Sequence, residues 1–557
     1  MIALCLSVYF FCGFTHLSYA NDLGLSWLNK KDARLSPDGQ WISWLAPTDD
    51  SHWHVFSRAI HRNSESLMVE DFIADGIVEY AWDLKSQHLV LIQQMQSSQN
   101  MQQLVIVDMQ THHVKKRMDV YFCVRIAGFD ALGEHVLVQV QDQQRKGQDL
   151  LAVHLTTLEF GLIFENQKEK PGLLIDSYIV DHVLPVNSVV HGLVGQNQQR
   201  TEFYYINPDQ STYQLITSVD AQSERVDFLT LINLNVNKKK SQSAYQLWFY
   251  KQRLNVLELY RADFKKGQWQ TPVLVHSMSH AWNMQPVAII QDDGQVAAWW
   301  SGEQQKYVVL QKKVITHIQA LSKVESAPLR VISSDKSQRY WIVRYSALNL
   351  PPKDYLYEKH TGQVQLLFDE QSQLSGISLN MPLNLFVKNK AITMYKPPQY
   401  NGTRMPLIIM AVDSKQRLHA QWNNEFNWLA QTLSQKGYFV LVCTFEHVLN
   451  ASEFLQHLLD LMHFSNERFS ETGQTVLLST GSSCDWAVSL LQHNHALLKA
   501  VVLSRIPKEG MDSNDKTWAA VKNKTLILNW STDTPYLQDL TQLSKTLAKI
   551  LPSVGSF

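Results

Sequence analysis

One feature constrains this chain more than any other: a polar turn followed by an apolar strand, returning at a near-constant interval. Leu35-Ser36-Pro37-Asp38-Gly39-Gln40 runs into Trp41-Ile42-Ser43-Trp44-Leu45. Trp82-Asp83-Leu84-Lys85-Ser86-Gln87 runs into His88-Leu89-Val90-Leu91-Ile92, and Phe129-Asp130-Ala131-Leu132-Gly133-Glu134 into His135-Val136-Leu137-Val138. The interval is about 47 residues, the length of a four-stranded β-propeller blade. Weaker copies follow at Gln291-Asp292-Asp293-Gly294 and Ser334-Asp335-Lys336-Ser337, each ahead of an aromatic strand. Asp354–Tyr357 and Gln363–Leu367, joined through His360-Thr361-Gly362, read as a hairpin. At this interval residues 25–378 hold about seven blades. A β-sandwich array is the competing architecture, and the constant interval favours the propeller.

From residue 381 the period changes. Pro406–Ala411, Tyr438–Val442, Val476–Leu478, Ala500–Leu503 and Thr525–Leu528 are short apolar runs. Between them Glu425–Gln435, Phe454–Met462 and Trp486–Gln492 have helical spacing. Strands alternating with helices predict a mostly parallel sheet covered on both faces, so residues 381–557 form an α/β domain. The composition suits two sizeable cores, with 45% hydrophobic and 18% charged residues. A net charge of -1 gives no electrostatic footprint for nucleic acid. Neither C-x-x-C nor H-E-x-x-H spacing occurs, so no metal or other cofactor is implied.

The opening MIALCLSVYFFCGFTHLSYA is apolar and ends in Ser18-Tyr19-Ala20, with small residues where a signal peptidase cuts before Asn21. Residues 1–20 are thus expected to be a signal peptide, and the protein to be exported to a periplasm or beyond the cell. A buried N-terminal segment or an anchor is the alternative. No other run is long and apolar enough for a transmembrane helix, so no stable membrane insertion is expected after cleavage. Removing the leader takes Cys5 and Cys12 and leaves Cys123, Cys443 and Cys484, which is no disulfide framework.

The chemistry concentrates at LLSTGSSCDW, Leu477 to Trp486. A strand ending in small residues and a serine, then opening a helix, is where α/β-hydrolases carry a nucleophile in G-x-S-x-G. Here the run is Thr480-Gly481-Ser482-Ser483-Cys484. The serine stands in place and both outer glycines are replaced. Taken with LSPDGQWISWL, YWIVRYSALNLPPKDYLYEKHTGQVQLLF, FNWLAQTLSQKGYFVLV and LLKAVVL, this order of elements resembles the prolyl oligopeptidase family of serine peptidases. The likeness lies toward its acylaminoacyl-peptidase and oligopeptidase branch and covers nearly the whole chain after the leader. It implies an α/β-hydrolase domain that cleaves short peptides by a Ser-Asp-His triad, behind a propeller that screens access by size.

Carried over residue by residue, the resemblance makes Ser482 the nucleophile and Asp533 the triad carboxylate. Asp533 matches an H-G-x-x-D segment in which Asn529 and Trp530 replace His and Gly. The histidine expected after it is missing from residues 534–557, and the last strand and helix of the domain are expected to be missing with it. His447, in the loop after the Tyr438–Val442 strand, is the one substitute base considered. Oxyanion donors would come from the backbone at Val412, Asp413 and Ser483, but the H-G-G-P of the family is Val412-Asp413-Ser414-Lys415. A carboxylate beside a developing oxyanion repels it. Residues 381–557 hold six glycines, where average usage gives about twelve.

Three readings follow. The chain is a catalytically impaired relative that binds a peptide or protein, or an active serine hydrolase working through Ser482, or a shortened or frameshifted peptidase. Export makes a direct prediction: intact-mass measurement of the protein recovered from a secreting host should find a chain beginning at Asn21. Recovery of a chain still beginning at Met1 would overturn it.

Overall fold

The computed structural model describes residues between 31 and 527. Several loops lie outside the description, among them 181–189, 234–244, 280–288, 371–378, 413–426, 445–450, 480–483, 488–497 and 504–524. The expected leader, residues 1–20, also lies outside it.

Five antiparallel sheets are regular four-stranded blades, each with its strands paired in chain order. They begin at Lys31, Ile77, Cys123, Leu174 and Leu329. Successive blades touch through their first strands. Ile77–Trp82 meets Cys123–Phe129, which meets Leu174–Val180, and Leu329–Ser334 returns to Lys31–Leu35. The first strands therefore line the inside of a ring.

The recurring turn has a common physical cause. Asp83 is fully buried, and its Oδ1 accepts from the backbone N–H groups of Gln87 and His88 at 2.7 and 3.1 Å. Asp130 accepts in the same way from Glu134 and His135, at 2.8 and 2.9 Å. Asp335 accepts from Tyr340 at 2.6 Å. In the first blade Ser36 Oγ takes the place of the carboxylate, accepting from Trp41 N–H at 2.9 Å. Hydrogen bonds to a charged acceptor contribute about 1.5–3 kcal/mol each, so one buried side chain fixes each turn. The residue three places after the cap always has positive φ: Gly39 (70°), Ser86 (60°), Gly133 (63°) and Gln338 (56°).

These turns interlock. Asp38 N–H donates to Ser86 Oγ at 3.0 Å, and Lys336 N–H to the Pro37 carbonyl at 2.9 Å. Trp44, Ile42 and Leu35 pack against Tyr340, Ile342 and Phe368, so the first and last blades share a core.

The expectation of about seven blades is corrected to five regular ones. Two further sheets between residues 224 and 309 do not repeat the pattern. In one, Val256–Lys265 pairs with both Gln268–Trp269 and Val273–Ser279, making five strands. The other has three described strands, and the chain then enters helix α1, Lys312–Leu321. Val314, Ile318 and Leu321 fall on one helical face and pack against Trp341, Val343, Tyr345 and Tyr357 of the last blade. A helix thus covers apolar surface that an outer strand would otherwise cover.

The second domain is built on one seven-stranded sheet. Its strands are β1 (Leu383–Val387), β2 (Lys390–Tyr395), β3 (Met405–Val412), β4 (Phe439–Thr444), β5 (Ser470–Ser479), β6 (Ala500–Leu503) and β7 (Thr525–Ile527). The spatial order is β1-β2-β4-β3-β5-β6-β7. Pairing is antiparallel through β2–β4 and parallel from β4 onward. Alternate residues serve opposite faces. Ile408, Met410, Val440 and Val442 pack under helix α2 (Trp428–Gln435), while Leu407, Ile409, Leu441 and Leu477 pack under α3 (Ala451–Arg468). Helix α2 starts after Asn427, whose Oδ1 accepts from Ala430 N–H at 2.9 Å.

The domains are fastened through α2. The Gln431 side chain is buried and its Nε2 donates to the Leu348 and Asn380 carbonyls, both at 3.1 Å. Leu348 lies in the turn between the second and third strands of the last blade. Asn380 Nδ2 and Ser434 Oγ both donate to the Lys396 carbonyl, at 2.9 and 2.8 Å.

At Gly39 a Cβ would lie 3.2 Å from Tyr340 Cδ2 and 3.3 Å from Asp335 Cβ, on a backbone that disfavours side chains. Gly39→Ala should lower unfolding stability by about 1–2 kcal/mol in urea titration. An unchanged midpoint would mean that the joint between first and last blades yields freely.

Candidate active site

In an open α/β sheet the crevice forms where strand order reverses. Here β3 lies between β4 and β5, and Ala411 is in register with Cys443 on one side and Ser479 on the other. The carboxyl ends of β3 and β5, Val412 and Ser479, therefore lie on hydrogen-bonded neighbours about 4.8 Å apart. Residues 413–426 and 480–483 follow these two strand ends in the chain.

The structure thus places side by side the ends of β3 and β5, ahead of Asp413 and of Ser482 and Ser483 in the chain. Of the sequence-predicted residues, Val412 closes β3 in register with Thr444 of β4. Asp413, Ser482, Ser483 and Asp533 lie outside the described residues, as does His447.

What is described at the junction is its base. Cys484 is fully buried at the start of the following helical turn, and its thiol donates to the Ser479 carbonyl at 3.2 Å. The bond joins the two residues across positions 480–483 like a clasp. Cys484 and Ala487 pack into the layer holding Leu477 and Phe454, and the Trp486 ring lies 5.4 Å from that of Phe454. A nucleophile elbow usually takes glycine at the position of Cys484, so that helix and strand can approach. Here a side chain fits there because its sulfur turns into the apolar layer and bonds a carbonyl.

Sequence reasoning saw only a lost glycine at this point. The signal for a packing role was present in the small, soft character of cysteine beside the apolar Trp486-Ala487.

Other polar groups under the crevice are buried without a hydrogen-bond partner among the described residues. They include Thr475 Oγ1 and Ser479 Oγ on β5. Leaving such a hydroxyl unsatisfied costs about 1–3 kcal/mol. Cys443 donates to the Met410 carbonyl at 3.4 Å, and burial pushes its thiol pKa up, so it stays protonated and inert. Among the described residues no group of three His, Cys, Asp or Glu side chains is arranged to hold a metal ion. No described helix is long and apolar enough to cross a membrane.

No family model and no curated protein matches the sequence. Solved structures do match over most of its length. A prolyl endopeptidase superposes with a TM-score of 0.60 at 8% identity, over 96% of this chain and 80% of its own. A puromycin-hydrolyzing peptidase of Mycobacterium tuberculosis gives 0.52 at 11%, over 87% and 78%. Oligopeptidase B of Leishmania major gives 0.50 at 8%, over 87% and 72%. The fold is that of the prolyl oligopeptidase family. At these identities the prolyl oligopeptidase likeness concerns architecture, and it explains why a propeller precedes a sheet of this strand order.

Burial at both sulfurs has a measurable consequence. In the native protein Cys443 and Cys484 should remain unmodified by iodoacetamide at pH 8 and react only after denaturation, as read by peptide mass mapping. Native labelling of Cys484 would show that the clasp opens readily.

Proposed function

We propose that the protein is an exported peptide- or protein-binding protein built on a serine-peptidase scaffold, with its hydrolytic chemistry impaired. The observation that carries this reading is the junction after β5, where the buried Cys484 thiol is bonded to the Ser479 carbonyl. A side chain packed there replaces the open backbone approach that an elbow uses to present its serine.

Two sequence features act in the same direction. Asp413 follows the end of β3 in the loop where oxyanion donors belong, and its negative charge opposes the charge that develops during acyl transfer. Residues 534–557 contain no histidine to act as base for Ser482. Loss of a triad member removes acceleration on the order of 10⁴-fold or more. On this reading the scaffold holds a peptide without cutting it.

The second reading is an active serine hydrolase that cleaves short peptides. Ser482 in the nucleophile register and Asp533 in the carboxylate register favour it.

Labelling with a fluorophosphonate probe separates the two. The native protein, folded by circular dichroism, should label no more than its Ser482→Ala variant. Strong labelling that disappears in Ser482→Ala would establish an activated serine and the hydrolase reading.

A further inference from the structure

The turn from β2 to β3 carries Asn401-Gly402-Thr403, and its first two residues are the chain's one Asn-Gly dipeptide. The turn is pinned at both ends and open in the middle. Tyr400 N–H donates to the Pro397 carbonyl at 3.2 Å, and the Tyr400 ring meets the Phe439 ring edge-on at 4.8 Å. Met405 N–H donates to the Phe469 carbonyl at 3.1 Å. Residues 401–404, between these anchors, are exposed.

The Asn401 side chain is held in one orientation. Its Oδ1 accepts from Thr403 N–H at 3.1 Å and from Thr403 Oγ–H at 2.8 Å. A backbone N–H only donates, so the oxygen of the amide is the atom turned to Thr403 and Nδ2 is turned away. Among the described residues neither Nδ2 nor the Gly402 N–H has a hydrogen-bond partner. Gly402 has a φ of 97°, and a Cβ there would meet no atom within 4 Å. The amide and the peptide nitrogen beside it thus sit together on an exposed, uncrowded turn.

That juxtaposition is reactive. Gly402 N, once deprotonated, attacks the Asn401 Cγ of its own chain with no translational freedom to lose. Glycine puts no Cβ in the path and lets the backbone turn as the ring closes. As the N–Cγ bond forms, negative charge gathers on Oδ1, where the two Thr403 donors already point. The Cγ–Nδ2 bond then breaks, and Nδ2 leaves as ammonia, taking up by way of solvent the proton that Gly402 gave up. Water opens the resulting succinimide at either carbonyl. One opening gives aspartate. The other gives isoaspartate, in which the main chain runs through the former side chain.

We propose that Asn401 is a self-modification site, converted through a succinimide with Gly402 N to aspartate and isoaspartate, with Thr403 as the positioning residue. Water is the one reagent consumed and ammonia the one product released. Each conversion adds one negative charge to a chain of net charge -1. The new carboxylate stands on a turn flanked by Arg404 and by Lys396, whose Nζ lies 4.9 Å from the Tyr400 ring centre. The isoaspartate form also lengthens the backbone between the two anchors. Because no partner is needed, the converted fraction grows with the age of the protein.

The test incubates the full chain in mildly alkaline buffer beside a synthetic peptide of residues 399–404. Peptide mass mapping reads replacement of the Asn401 amide by acid, and chromatography separates isoaspartate from aspartate. Asn401 in the folded protein should convert at least as fast as in the peptide. Gly402→Ala, folded by circular dichroism, should slow conversion about tenfold or more. Thr403→Val should slow the folded protein about threefold and leave the peptide unchanged, whereas Thr403→Ser should keep the rate. An Asn401 amide that persists in the folded protein while the peptide converts would overturn the site, and so would conversion that Gly402→Ala does not slow. A folded Thr403→Val variant converting at the original rate would overturn the role given to Thr403.

Discussion

A buried carboxylate at the head of a turn is the interaction on which this architecture depends. Asp83 and Asp130 each collect two backbone donors, and their second oxygens face His88 and His135 Nδ1 at 2.9 and 3.1 Å. Burial alone would raise the pKa of Asp130, but the N–H and ring of His135 and the N–H of Glu134 outweigh it and hold the group below its ordinary range. The charge is therefore stable where it is dry. Because the capped turn fixes the start of the next strand, it sets the register of the blade. Because the turns also touch one another, it sets the angle between blades. Asp38 N–H to Ser86 Oγ and Lys336 N–H to the Pro37 carbonyl are local contacts that close a long-range ring.

That ring then positions the second domain. Gln431 is a buried amide reaching out of α2 to two carbonyls, one in the last blade and one in the connection between domains. An apolar residue there would strand both carbonyls without donors, so the contact is directional as well as adhesive. The same helix packs Leu429, Ala430 and Leu433 onto the strands that carry the crevice. The propeller mouth and the ends of β3 and β5 are thus linked by one short helix.

Much of this was legible in the chain, and the exceptions have physical causes. The blades at Lys31, Ile77, Cys123 and Leu329 announced themselves because their turns need an acceptor at one position and tolerate glycine three residues later. Gln338, like Ser86, adopts the same left-handed backbone without glycine, so the copy at Ser334–Ser337 has no glycine to mark it. The count of about seven failed where the pattern changes period. Val314, Ile318 and Leu321 repeat at helical spacing inside a region read as strands, and Val256–Lys265 serves two partner strands. In the second domain, alternation of apolar strands and helical runs was enough to give the parallel sheet. The sequence could not disclose that Gln431 spans the domains, since its two acceptors are backbone carbonyls 51 and 83 residues away.

The candidate site shows how a shared architecture can accommodate a different residue at the turn after β5. A sheet of this strand order needs β5 to end beside β3 and a helix to return across the edge, whatever residues make the turn. Glycine is required at the turn only when backbone must approach backbone while a serine is thrust outward. Cys484 satisfies the first demand by other means, placing a small polarizable side chain in the apolar layer and returning a hydrogen bond to Ser479. The thiol itself is buried without going unsatisfied, because it finds its acceptor. The packing at Cys484 thus holds the start of the helical turn against β5.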